Sequence, residues 1–308
     1  MSQNPLRTAT AIAFLLLLGL LASSFQTYVP EGRRERAERA EAGFAVRPEP
    51  PPDLTARAAL SVFVDPDGQR TTLYAKNEEL PLPTASLVKL LTALVVVEHM
   101  APDGMVTISQ TAVAEAENAG GFRVGERFFT RDLLASLLVE SSNDAAAALA
   151  ETIERETFIA RMRETAASIG LRHTAITNFT GLDPALGTAP GSAPAVDLVT
   201  IATYLLRHHP EIFAILALPE IDLYDAAGTF HHRAINTNRL ITDPDLPAKA
   251  IGGKTGETPL ARQNLLLVLE APGQESYTVH VLLGSEDRFG EMKKLVQWAY
   301  RVHAPALQ

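Results

Sequence analysis

The chain has 308 residues, 46% of them apolar, which is enough for a sizeable core and excludes a disordered or collagen-like polymer. Lys and Arg number 27 against 36 Asp and Glu, a net charge of −9 that, with no long basic run in the body of the chain, argues against nucleic-acid binding. There is no cysteine, so disulfides, thiolate metal sites and a cysteine nucleophile are excluded, and a nucleophile has to be Ser, Thr, Asp, Glu or Lys.

The first element is a targeting segment. Thr8 to Val29 carries no charge and follows Arg7, as in a secretory signal or an uncleaved signal-anchor, and residues 1–29 are assigned to it. Ala22, Ser23 and Ser24 offer small residues for cleavage. Arg33, Arg34, Arg36 and Arg39 follow, and the positive-inside rule would keep them cytoplasmic, so export rests on function rather than on topology. Residues 30–53 read as a charged, Pro-rich tether ending in Pro48-Glu49-Pro50-Pro51-Pro52, and the folded domain, 54–308, is expected to begin near Leu54.

Two short strands follow, Leu60–Val64 and Thr71–Tyr74, joined by the turn signal Asp65-Pro66-Asp67-Gly68. Helical periodicity then marks Ser86–Glu98, Thr130–Leu138, Asn143–Glu154, Phe158–Ile169 and Ala195–His208. Near the C-terminus come strands Leu265–Leu269 and Tyr277–Leu283 around Ala271-Pro272-Gly273, and a helix at about Phe289–Val302. This order predicts an α+β fold, with an antiparallel sheet built from both chain ends, flanked by helices, and a helical subdomain inserted between them.

Three short motifs could carry chemistry. In the first, Ser86 and Lys89 lie on a helix that is apolar all round and therefore buried, with Thr84 as a candidate N-cap. Near a helix N-terminus negative charge is favoured, and burial lowers a lysine pKa, so a neutral Lys89 can take the Ser86 proton. The competing reading is a serine in the cap region with a lysine that reaches outward. In the second, Ser141 and Asn143 sit in a tight turn between two helices, where Asn143 can cap a helix or orient a substrate and Ser141 can relay a proton. In the third, Gly252-Gly253-Lys254-Thr255-Gly256-Glu257 reads either as a strand that a ligand approaches closely or as a Gly-rich turn with a solvated lysine. As a strand it puts Lys254 and Gly256 on one face and Thr255 on the other. It is not a phosphate-binding loop, because Ala248 stands where the first glycine is required.

The set S-x-x-K, S-x-N and K-T-G in this order resembles the D-alanyl-D-alanine carboxypeptidases, the low-molecular-weight penicillin-binding proteins, whose fold is β-lactamase/transpeptidase-like. Further stretches are similar: Val124-Gly125-Glu126 with Thr130 to Leu134, Asn178 to Asp183, Ser192-Ala193 with Asp197-Leu198, Asn236 to Leu240, and Val281 to Gly284 followed by Arg288 and Trp298. The likeness runs from about Leu54 to Val302. Val88 and the pair Arg262-Gln263 depart from the family pattern at positions that touch substrate fit. Many relatives add a β-rich domain and a C-terminal amphipathic helix. Neither is seen here, so the N-terminal segment is expected to anchor the protein at the membrane, outside the cytoplasm.

The resemblance implies an acyl-enzyme peptidase acting on peptidoglycan stem peptides that end in D-Ala-D-Ala, with β-lactams as covalent inhibitors and no metal or other cofactor. It casts Ser86 as nucleophile, Lys89 as base and Ser141 as proton relay. The backbone N–H groups of Ser86 and Glu257 become the oxyanion hole, Lys254 and Thr255 hold the terminal carboxylate beside Gly256, and Asn143 binds a peptide amide. Rival readings are a β-lactamase or esterase on the same scaffold, a D,D-endopeptidase, and a wall-binding module without turnover. A class A β-lactamase is disfavoured, since no E-x-x-x-N segment lies between Asn143 and Lys254. His99, His208-His209 and His231-His232 lack H-E-x-x-H spacing and read as surface or loop residues.

Overall fold

The computed structural model describes residues 49–116, 120–271 and 275–303; the expected leader, the tether up to residue 48 and most of the turn at 271–273 lie outside the described residues. Strands β1 (Ala58–Val64) and β2 (Arg70–Lys76) form the expected hairpin, and Gly68 takes the left-handed φ of +84° that its turn requires. A two-residue strand β3 (Leu82–Pro83) leads into a 3-10 turn, Ala85–Val88, and then helix α1 (Lys89–His99). After β4 (Met105–Thr107) and β5 (Arg127–Phe129) come α2 (Thr130–Val139), α3 (Asn143–Ala150), a 3-10 turn at Glu151–Ile153 and α4 (Arg155–Ser168). Strand β6 (Ser192–Ala193) precedes α5 (Ala195–His208) and α6 (Pro210–Leu216). A hairpin of β7 (Glu220–Tyr224) and β8 (Phe230–Ile235) is followed by β9 (Ala250–Thr258), β10 (Arg262–Glu270), β11 (Tyr277–Ser285) and α7 (Arg288–His303).

The main sheet has the order β2-β1-β11-β10-β9, antiparallel throughout, so both chain ends build it as expected. Its central strands are buried on both faces, which explains why β1 and β11 read as continuous apolar runs rather than alternating ones. On one face Leu60, Val62, Leu266, Val279 and Val281 join the helical core of α1 and α5. On the other, Leu265, Leu267, Leu269 and Leu282 pack against Met292, Leu295 and Val296 of α7. The tether's last residues reach α7 as well: the Trp298 indole N–H donates to the Glu49 carbonyl at 3.3 Å and Arg301 pairs with the Glu49 carboxylate at 2.7 Å.

Some local expectations need correcting. The helix predicted from Ser86 begins as a 3-10 turn, and Thr84 makes no side-chain cap. The cap of α3 is Ser142, whose hydroxyl accepts from the Ala145 N–H at 3.1 Å, not Asn143. The helix predicted over Asn143–Glu154 stops at Ala150. The β7–β8 hairpin had no prediction. Its strands are short and charged, and only Leu223 and Ala234 are buried, against Ala135 and Val139 of α2. His231 and His232 lie on β8 and are half-buried, so they are neither loop nor free surface residues.

Candidate active site

Ser86 lies in the 3-10 turn between β3 and α1, half-buried, directly after Ala85, which is held at the left-handed φ of +47°. Two glycines close on this turn. A Cβ at Gly181 would fall 2.0 Å from the Ala85 carbonyl oxygen, and one at Gly256 would fall 2.9 Å from the Thr84 oxygen and 3.0 Å from the Ser86 nitrogen. Strand β9 therefore runs against the Ser86 backbone at Gly256, the close approach that its glycines announced.

Lys89 is fully buried in the first turn of α1. Its Nζ lies 2.9 Å from Ser86 Oγ, 2.6 Å from Asn143 Oδ1 and 2.7 Å from the Thr180 carbonyl oxygen. The last two oxygens only accept. As an ammonium Lys89 donates to all three oxygens; once it has lost one proton, its two remaining hydrogens can stay on Asn143 and Thr180 while the lone pair faces the Ser86 hydroxyl. Lys89 is therefore turned onto Ser86 and does not reach outward to solvent.

The partners of Lys89 are themselves fixed. Ser142 caps α3, and the Asn143 amide enters the site, where its Nδ2 donates to the Ala116 carbonyl at 2.9 Å. Ser141, half-buried, adopts φ +66° immediately before it, a conformation uncommon for a serine. Asn178 Oδ1 accepts from Thr180 N and from Gly181 N, at 3.2 and 2.6 Å, which builds the turn that presents the Thr180 carbonyl. Thr92 of α1 donates to the Phe179 oxygen at 2.8 Å and ties the same turn down. The sequence marked Asn178 to Asp183 only as a similar stretch. Carbonyl groups have no side-chain signature, and the contribution of Thr180 could not be read from residue type.

On β9, Lys254 and Thr255 are both buried. Burial pushes the Lys254 ammonium well below the usual lysine range, and the positive charges of Lys89 and Arg288 add to the effect. Its Nζ donates to the Thr255 carbonyl at 3.2 Å, whereas the Thr255 hydroxyl is 2.6 Å from that of Thr237. The strand alternation thus separates the two side chains as expected. Arg288 donates to the Gly256 oxygen at 3.2 Å and to Glu257 at 2.8 Å. The sequence had placed it only as part of the closing helix. Beyond Glu257 an open cleft of about 740 Å³ continues past Arg262, Gln263 and Glu286, so the departure at Arg262-Gln263 faces the space next to the site. Among the described residues no three His, Asp or Glu side chains converge as a metal site would require.

Ser86, Lys89 and Asn143 are thus joined by hydrogen bonds, Gly256 abuts the Ser86 backbone, and Lys254 lies within electrostatic reach of Lys89. The D-alanyl-D-alanine carboxypeptidase family model, Peptidase_S11, matches residues 45–286. The chain is 32% identical over 243 residues to the D-alanyl-D-alanine carboxypeptidase DacC of Escherichia coli (strain K12), covering 73% of this chain and 57% of that protein. It is 31% identical over 223 residues to the carboxypeptidase DacB2 of Mycobacterium tuberculosis, covering 70% of this chain and 71% of the relative. The crystal structure of a D-alanyl-D-alanine carboxypeptidase from Mycobacterium tuberculosis H37Rv superposes with a TM-score of 0.73 at 26% identity, covering 83% of this chain and 96% of that one. With the family model matching most of its length, the chain belongs to the Peptidase_S11 family of D-alanyl-D-alanine carboxypeptidases.

Proposed function

We propose that the protein is a serine D-Ala-D-Ala carboxypeptidase that removes the terminal D-alanine from peptidoglycan stem peptides. The observation that carries this reading is the fully buried Lys89 amine 2.9 Å from Ser86 Oγ, which is also bonded to Asn143 Oδ1 and the Thr180 carbonyl oxygen, atoms that only accept. Lys89 takes the Ser86 proton, and Oγ attacks the carbonyl of the penultimate D-alanine. The N–H groups of Ser86 and Glu257 hold the oxyanion, at about 3 kcal/mol per donor. Ser141 passes the proton to the departing D-alanine. Lys254 and Thr255 hold its carboxylate and Asn143 a peptide amide. Water then hydrolyses the ester, so that a proton and a hydroxyl are restored to Ser86 and the shortened peptide.

The same serine would open β-lactam rings and retain them as esters. On this reading residues 54–308 form the catalytic domain and work outside the cytoplasm, and residues 1–29 serve as signal or anchor. Among the described residues no helix is long and apolar enough to cross a membrane. The test is release of D-alanine from a stem pentapeptide. The parent chain should release it and Ser86→Ala should not. Equal release by both would refute the assignment.

A further inference from the structure

The Lys89 amine is aimed by two acceptors, Asn143 Oδ1 and the Thr180 carbonyl oxygen, which come from segments far apart in the chain. One side chain outside the site reaches the supports of both. Arg155, the first residue of α4, donates from Nη1 to Glu115 at 2.6 Å and from Nη2 to the Thr111 carbonyl at 3.2 Å. Its Nε and Nη2 both donate to one Glu151 oxygen, at 2.9 and 2.7 Å. Glu115 is followed directly by Ala116, whose carbonyl accepts from Asn143 Nδ2 at 2.9 Å. The guanidinium carbon also lies over the Phe179 ring, 5.4 Å from its centroid, and Phe179 directly precedes Thr180.

Each arm of this contact has a physical consequence. A guanidinium is planar and presents its donors in a fixed fork, so bonds to residues 111, 115 and 151 set the 109–116 segment against the start of α4. Glu151 is fastened on that segment in turn, accepting from Ser109 Oγ at 2.5 Å and from Thr111 Oγ1 at 2.8 Å. The Arg155 and Glu115 side chains are only 31% and 17% exposed, so the pair is partly shielded from solvent and belongs to a network, the setting in which ion pairs count. With Ala116 fixed, the hydrogen bond to its carbonyl orients the Asn143 amide, and Oδ1 on the same plane is turned to Lys89. The second arm is a cation on a ring face. It adds to the edge-on contact of Phe158 with Phe179, at 6.1 Å between centroids, and to the Thr92 hydroxyl on the Phe179 carbonyl, and together these hold the turn that presents Thr180.

We propose that Arg155 is a positioning residue that holds both acceptors of Lys89 and so keeps the amine aimed at Ser86. It touches neither substrate nor reacting atoms. The functional half of the proposal rests on the role of base given to Lys89 above.

The test uses the full chain purified in detergent, with every variant shown by circular dichroism to be folded and measured well below its melting temperature. The acylation rate constant at saturating fluorescent penicillin should fall about tenfold in Arg155→Gln, less than the 10²-fold expected of a full ångström's misplacement. Arg155→Lys keeps the charge but not the fork, and its rate should lie between the two. Asn143→Ala removes one of the two acceptors, so adding Arg155→Gln to it should cost less than about threefold. A rate for Arg155→Gln within twofold of the parent would overturn the proposal, because an arginine that only stabilises the fold leaves a folded enzyme equally fast. A full tenfold loss in both backgrounds would overturn it as well. If the parent does not acylate at all, the acyl-enzyme reading fails instead, and the side-chain amide resonances of Asn143, identified as the pair missing from Asn143→Ala, decide the positioning claim. They should shift in Arg155→Gln and stay in place in Arg161→Gln, a change at an exposed position of the same helix. An Asn143 amide unmoved by Arg155→Gln would overturn the proposal.

Discussion

Replacing Gly256 by alanine tests whether the contact between β9 and the Ser86 turn is part of the catalytic machinery. The new Cβ would lie 2.9 Å from the Thr84 oxygen, 3.0 Å from the Ser86 nitrogen and 3.1 Å from Ala85 Cβ. Two of these atoms are backbone, and no flexible side chain can yield. Relief to ordinary contact needs a separation of about 0.5 Å between β9 and the turn, and overpacking of this kind costs about 1–3 kcal/mol. On the proposed mechanism that displacement parts the Ser86 and Glu257 N–H groups, which there converge on one oxyanion. Losing one such donor costs about 10²- to 10³-fold, and a partial misplacement should cost about 30- to 100-fold in the acylation rate. The melting temperature should drop by a few degrees at about 2–4 °C per kcal/mol for a domain of this size. Stopped-flow acylation with a fluorescent penicillin, alongside calorimetric melting, reads both quantities. An acylation rate within twofold of the parent would refute the idea that this contact sets the oxyanion geometry.

Other outcomes follow from the same geometry. Lys89→Met keeps the length but removes the base, so acylation should fall by about 10²- to 10⁴-fold; Lys89→Arg should not restore it, since a guanidinium offers no lone pair. Lys254 is held well below the ordinary lysine value of 10.5, and a bound carboxylate favours its charged form, so ligand capture should take up a proton at alkaline pH. Calorimetry of Ser86→Ala with an acyl-D-Ala-D-Ala peptide in buffers of different ionisation enthalpy would measure this, and zero uptake would contradict it. His280 is buried between Ser61 and Thr278, at 2.6 and 2.8 Å, and burial lowers it from 6.5 to about 3. Because the unfolded chain binds the proton first, stability present above pH 6.5 should be lost as pH falls from there toward 3, by at most about 5 kcal/mol. Urea unfolding between pH 7 and 4 should show this slope in the parent and a shallower one in His280→Gln.

The sheet was legible because β1, β10 and β11 are short apolar runs bounded by turn signals, and α5 matched at both ends, Ala195 and His208. Of the candidate site residues, Ser86, Lys89 and Asn143, which come from two of the motifs, meet through hydrogen bonds. What escaped was written in the backbone or in context. Thr180 contributes a carbonyl, which any residue carries. Asn143 was open to reading as a cap, because Ser142 and Asn143 are both good capping residues and only packing decides between them. The β7–β8 hairpin carries few buried apolar positions, so its alternation was weak, and His231 and His232 were set aside because they fit no metal motif. Their partners Glu126 and Glu140 are distant in sequence and adjacent only in the fold.

The most direct measurement is the intact mass of the purified protein after incubation with benzylpenicillin, followed by peptide mapping. A persistent adduct equal to one penicilloyl group on the peptide that contains Ser86, absent from Ser86→Ala, is the predicted result. An adduct on another residue, or labelling of Ser86→Ala, would contradict the assignment of the nucleophile. Destruction of the antibiotic without any adduct would point to a β-lactamase in place of the carboxypeptidase.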